Sequence, residues 1–119
     1  MKLTEVNIYN KTGANRKMPF VLRDIARMYD AQELVDSGMF YYKAACDYSL
    51  YLNDSVRYYN LLGEFGGFLF ESGRIEKAKR LLKIAEQPNY LRDKSHIYLN
   101  LGNLYRKQQR NDSAYYYYH

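Results

Sequence analysis

Few residue types able to do chemistry occur in this 119-residue sequence, and their spacing argues against most of the chemistry they could do. Two histidines, His96 and His119, stand twenty-three residues apart, and neither belongs to a His-Glu-x-x-His or comparable zinc-ligand pattern. The single cysteine, Cys46, excludes a disulfide framework or a multi-cysteine metal site within the chain. A small buried apolar side chain is its plainer role. Gly63-x-x-Gly66-Gly67 has the glycines of a phosphate loop, but no Lys-Ser or Lys-Thr follows, and the glycines fall inside a helical stripe. The acidic residues form no pair suited to acid/base work. The expectation is a protein that is not an enzyme and needs no metal and no cofactor.

Binding chemistry is better represented. Lysine and arginine total 18 against 13 Asp and Glu, a net charge of +5, and the aromatics are 15 Tyr and 5 Phe. Arg74, Lys77, Lys79, Arg80 and Lys83 crowd one segment, and Arg92, Lys94, Arg106, Lys107 and Arg110 follow. A basic surface with stacking tyrosines could hold RNA or another polyanion. Glu71, Glu76 and Glu86 interrupt the run, however, which is the pattern of an ordinary solvated helix face. Three Asn-x-Ser/Thr triplets start at Asn10, Asn53 and Asn111; the last two coincide with expected helix starts, so capping explains them.

The elements that would position these groups are helices. A hydrophobic fraction of 47% argues against disorder, and 2 Pro with 7 Gly are too few turn-formers for a sandwich of short strands. No apolar run approaches the roughly 18 residues that span a bilayer, and Met1 to Lys17 is polar, unlike a signal peptide. The chain reads as soluble, with the compartment, cytoplasmic or periplasmic, left open.

Internal repetition organises the rest. Tyr98, Leu101, Gly102 and Tyr105 recur at i, i+3, i+4 and i+7, with Ala114 twelve residues after the glycine and Tyr118 four later. Leu62, Phe65, Gly66 and Leu69 repeat the stripe, again with an alanine, Ala78, twelve after the glycine, then Leu82, Ala85 and Pro88. A weaker third copy places Ala44 and Tyr48 behind Met28, Ala31, Gln32 and Val35. A glycine inside a helical stripe costs about 1 kcal/mol relative to alanine, so close approach of a second helix, with Ala78 or Ala114 opposite, is its expected reason.

These residues resemble the tetratricopeptide repeat, whose pattern is an aromatic, Leu-Gly, Tyr, Ala, Phe and Pro over 34 residues. The resemblance covers residues 20 to 119 or so. Tyrosine replaces the usual Trp and Phe, Gln32 departs from the small-residue slot, and the last two copies are offset by 36 residues. The extra length is expected in the connection from Gln87 to Lys94. The resemblance implies an all-α, right-handed solenoid of about three antiparallel helical hairpins. It also implies a non-catalytic scaffold that binds a protein or peptide in its concave groove. The tyrosine- and asparagine-rich style is similar to repeat regions of bacterial sensor and regulator proteins, which suggests a signalling setting.

Six helices are expected, at 19–36, 40–52, 55–71, 75–86, 94–108 and 112–119. Gly38 and Gly73 serve as stops, and Asn53-Asp54-Ser55 and Asn111-Asp112-Ser113 as starts. Residues 1–18 read as a leader or linker, partly disordered, and 19–119 as the repeat domain with its last repeat incomplete. A solenoid normally ends in a polar capping helix, and the sixth helix, rich in tyrosine from Tyr115 to Tyr118, is no such cap. Either the sequence is an excerpt or another chain covers that end, and a homodimer through it is expected when the fragment stands alone.

The groove would be lined by the first helix of each hairpin. On the last of these the stripe left over by the core is His96, Leu99, Asn103, Arg106 and Arg110. On the middle one it is Asn60, Gly63, Gly67, Phe70 and Glu71, where two glycines should leave a depression in the groove floor. Asn60 and Asn103 could bond an extended peptide's backbone, and Arg106 with Lys107 an acidic side chain or terminal carboxylate.

Overall fold

The structure, a computed structural model, describes residues 15–117 and the side chains of residues 15–109. The expected leader lies almost wholly outside the described residues, as do Asn10, Tyr118 and His119. The described residues form five helices and no strand: α1 (Met18–Ala31), α2 (Val35–Tyr51), α3 (Ser55–Glu71), α4 (Ile75–Ala85) and α5 (Ser95–Tyr117). The protein is all-α. None of these helices is long and apolar enough to cross a membrane.

Three of the four connections are copies of one turn. After α1, α2 and α3 the chain makes three residues of turn and re-enters a helix, and the middle residue is left-handed each time: Glu33 (φ 60), Asn53 (φ 57) and Gly73 (φ 84). The amide after each left-handed residue reaches five residues back, Leu34 to the Tyr29 carbonyl, Asp54 to Ser49 and Arg74 to Leu69, all at 2.9 Å. The left-handed residue donates three back, to Asp30, Leu50 and Phe70. That paired arrangement is the Schellman motif, which satisfies carbonyls a helix end leaves open. The Asp54 carboxylate then accepts from the Arg57 amide at 3.1 Å and starts α3, as the sequence suggested. The fourth connection, 86–94, carries the extra length; Leu91 plugs it from inside, and Lys94 Nζ donates to the Glu86 carbonyl at 2.6 Å.

The described chain falls into two compact units divided between Leu61 and Leu62, within α3. In the first, α1 and α2 pack as an antiparallel hairpin, with Tyr29 near the end of α1 stacked on Tyr41 near the start of α2, ring centroids 5.5 Å apart. Leu22, Ala26, Gly38, Tyr42 and Ala45 are buried. Their positions correct two expectations. Gly38 ends no helix: it lies buried inside α2, and the turn sits earlier, at Glu33. Leu22, Ile25, Ala26 and Tyr29, followed by Gly38, Tyr42 and Ala45, stand forty residues before Leu62, Phe65, Gly66, Leu69, Ala78, Leu82 and Ala85 and occupy the corresponding places on α1 and α2. Met28, Ala31 and Gln32, expected in those slots, are exposed.

In the second unit the remainder of α3 pairs with α4 across the Gly73 turn. Leu62, Phe65, Leu69, Ala78, Leu82 and Ala85 are buried as expected, and a Cβ on Gly66 would stand 2.6 Å from Leu82 Cγ and 3.4 Å from the Ala78 carbonyl. Close approach does explain that glycine. The fifth and sixth expected helices, by contrast, are one: α5 runs through Asn111-Asp112-Ser113 without a break. Its core stripe is Ile97, Leu101 and Leu104, again i, i+4 and i+7 but turned one residue from the expected Tyr98, Leu101, Gly102 and Tyr105. Tyr98, Gly102 and Tyr105 are exposed, because the helix expected to fold back on them does not do so. Side chains of the Ala114 slot lie outside the described ones.

Candidate partner-binding face

The candidate face depends on how α3 and α5 lie together. Both helices run the same way, side by side. A Cβ built on Gly63 would stand 2.7 Å from Ile97 Cγ1 and 2.9 Å from His96 Nε2, and one on Gly67 2.6 Å from Asn100 Nδ2. Positions 63 and 67 on α3 thus face 96, 97 and 100 on α5, a constant step of about one helical turn on each rod. The two glycines are the contact line between these helices. This corrects the expected depression: no groove floor opens at Gly63 and Gly67, since His96, Ile97 and Asn100 fill the space a side chain would take.

Among the described residues, the surface beside that contact line stays open. On α3 it comprises half-buried Phe70 and exposed Glu71; on α5 it comprises exposed Leu99, half-buried Asn103, and exposed Arg106 and Lys107. The Lys107 ammonium sits 5.7 Å from the centre of the Phe70 ring, a cation–π contact that ties the two helices at this level. His96 is half-buried against Gly63 instead of presented to a partner. Asn60, half-buried, lies one turn before Gly63 on the same helix. Arg110 belongs to α5, its side chain outside the described ones. The polar members that survive as presented groups are Glu71, Asn103, Arg106 and Lys107.

Asn100 escaped the sequence reading. Its signal was weak, a polar residue at the same helical angle as His96, and only the absence of a Cβ on Gly67 makes room for it. Ile97 was missed because two stripes compete on α5 and the one containing tyrosines matched the repeat better.

The α4 side of α5 carries a second set of contacts. The Lys79 and Lys83 ammonium groups lie 5.5 and 5.9 Å from the centre of the Tyr105 ring. Hydrogen bonding to Tyr105, together with Glu86 at 3.7 Å, holds the Lys83 ammonium above its ordinary value. At the start of α5, the Ser95 side chain and amide, the latter at 2.8 Å, bond Asp93 and lower its carboxyl below the usual range. Cys46 is buried in the first unit. Among the described residues no three His, Cys, Asp or Glu side chains gather in a group that could hold a metal ion. No family model matches the chain, and neither the curated proteins nor the solved structures contain a match to it.

Proposed function

We propose that the chain is a tetratricopeptide-like scaffold that binds a protein or peptide along the open surface of α3 and α5, without chemistry of its own. The observation that carries this reading is the parallel neighbourhood of α3 and α5, held at glycine contact with α4 paired behind α3. Repeat scaffolds present their inner helices in this way, and the surface so formed is rigid before a partner arrives, which lowers the ordering cost of binding. The chemistry of the surface selects the partner. Arg106 and Lys107 favour a carboxylate, the amide of Asn103 can bond a peptide backbone at both its donor and its acceptor, and Leu99 and Phe70 offer apolar contact. An extended peptide with an acidic side chain or a terminal carboxylate fits this set.

The test is a screen of extended peptides with acidic side chains or free carboxyl ends, followed by titration of the best binder against the chain and against Asn103→Ala with Arg106→Glu. The double variant is expected to weaken binding at least about tenfold, since a charge-assisted hydrogen bond to a presented carboxylate contributes about 1.5–3 kcal/mol. Equal affinity for both proteins would overturn the assignment.

A further inference from the structure

Among the described residues, one face of α5 is left largely exposed. Tyr98 is 54% exposed, Leu99 62% and Tyr105 39%, and a Cβ built on Gly102 would meet nothing within 4 Å among the described residues. An exposed mid-helix glycine flanked by tyrosines at three and four residues is unfavourable for helix propensity and has no packing reason among the described residues. The matching face on α3 shows what such a surface takes. There Phe65, Gly66 and Leu69 receive α4, with Ala78 and Leu82, twelve and sixteen residues beyond Gly66, lying against the glycine. The chain carries the same complement for Gly102. Ala114 stands twelve residues and Tyr118 sixteen residues beyond it.

Geometry prevents that complement from reaching its own face. Because α5 is a single helix from Ser95 to Tyr117, Ala114 stands about 18 Å along the axis from Gly102, at 1.5 Å per residue. We propose that two copies of this chain pair reciprocally, the stretch from 111 to 119 of each covering the Tyr98, Gly102 and Tyr105 face of the other. The straight helix that removes the intramolecular hairpin supplies an intermolecular one, and the exchange closes with two-fold symmetry.

Sedimentation equilibrium of the full chain over about a thousandfold range of concentration tests the pairing, with a dimer expected at the upper end. Gly102→Arg is the decisive variant. A Cβ at this position meets nothing within 4 Å among the described residues, so the circular dichroism and folding of the monomer should stay intact while dimer dissociation rises at least about thirtyfold. Mixing equal amounts of Gly102→Cys and Ala114→Cys chains under mild oxidation should yield cross-linked heterodimers in excess of those from either alone. A parent chain that stays monomeric throughout, a Gly102→Arg chain that dimerises as tightly as the parent, or a mixture of the two cysteine variants that gives no excess of cross-linked heterodimers would each overturn the proposal.

Discussion

Gly66 and Gly102 occupy the same place in two similar stripes, four residues after a tyrosine or leucine and three before another large side chain, but only one of them is enclosed. At Gly66 an added Cβ would press on Leu82 Cγ, an atom in the middle of a fully buried side chain that has no room to turn aside. Overpacking of this kind costs about 1–3 kcal/mol, against which alanine returns about 1 kcal/mol of helix propensity. At Gly102 only the gain operates. Gly66→Ala should therefore lower the midpoint of urea unfolding and Gly102→Ala should raise it by the equivalent of about 1 kcal/mol, measured at low concentration where association is absent. Matching shifts for the two variants would show that the α3–α4 contact is looser than its geometry implies. The sequence singled out both glycines by the same pattern, and a pattern has no means of saying whether the expected neighbour is there.

At the level of elements, legibility followed the chemistry of the ends. α3 and α4 were placed to within a residue because Asp54, Gly73 and Pro88 are residues whose types favour caps and stops. The α1–α2 turn was misplaced because its left-handed residue is Glu33, which has no special aptitude for φ near 60, while Gly38 supplied a false stop five residues on. The break at Asn111 was expected from good capping residues, yet a cap acts only where the preceding helix can end. The cap that does form, at Asp54, carries a pH signature. Burial raises the Asp54 carboxyl, but hydrogen bonds from the Arg57 amide and guanidinium, with the charges of Arg57 and Arg16, outweigh it and hold the group below its ordinary value of 3.8. A carboxyl depressed in the folded state adds stability above the unfolded value, and that contribution is lost as pH falls through the folded value. The stability gap between the chain and Asp54→Asn should thus be widest near pH 7 and should close below about pH 4, followed by urea denaturation across that range. A gap independent of pH would mean that the charge of Asp54 contributes nothing to the α3 cap.

Over the whole molecule the excess of positive charge invites a nucleic-acid reading, and the placement of individual cations argues against it. Lys79 and Lys83 lie over Tyr105 with Glu86 beside Lys83, Lys107 lies over Phe70, and Lys94 is spent on the Glu86 carbonyl. In the first unit Arg57 is held 3.9 Å from the centre of the Phe20 ring and 3.1 Å from Asp54, and Lys43 is paired with Asp47 at 2.8 Å. Cations held by such local partners within each unit are less free to meet a phosphate backbone, and the aromatic faces that would stack on bases are partly occupied by the same lysines and arginine. Single-stranded RNA that neutralised several of them would show affinity falling with salt at a log–log slope of about −0.7 per phosphate contacted. The expected result, by fluorescence anisotropy with polyuridylate between about 50 and 200 mM salt, is weak binding with a slope of about −1 or shallower, as for one or two incidental contacts. An acidic peptide on Arg106 should show a similarly shallow dependence at much higher affinity, because one desolvated carboxylate contact is less sensitive to screening than a row of exposed ones. A steep RNA slope, equivalent to five or more phosphates, would reverse the order of the two readings and make the tyrosine-rich surface of α5 a base-stacking platform.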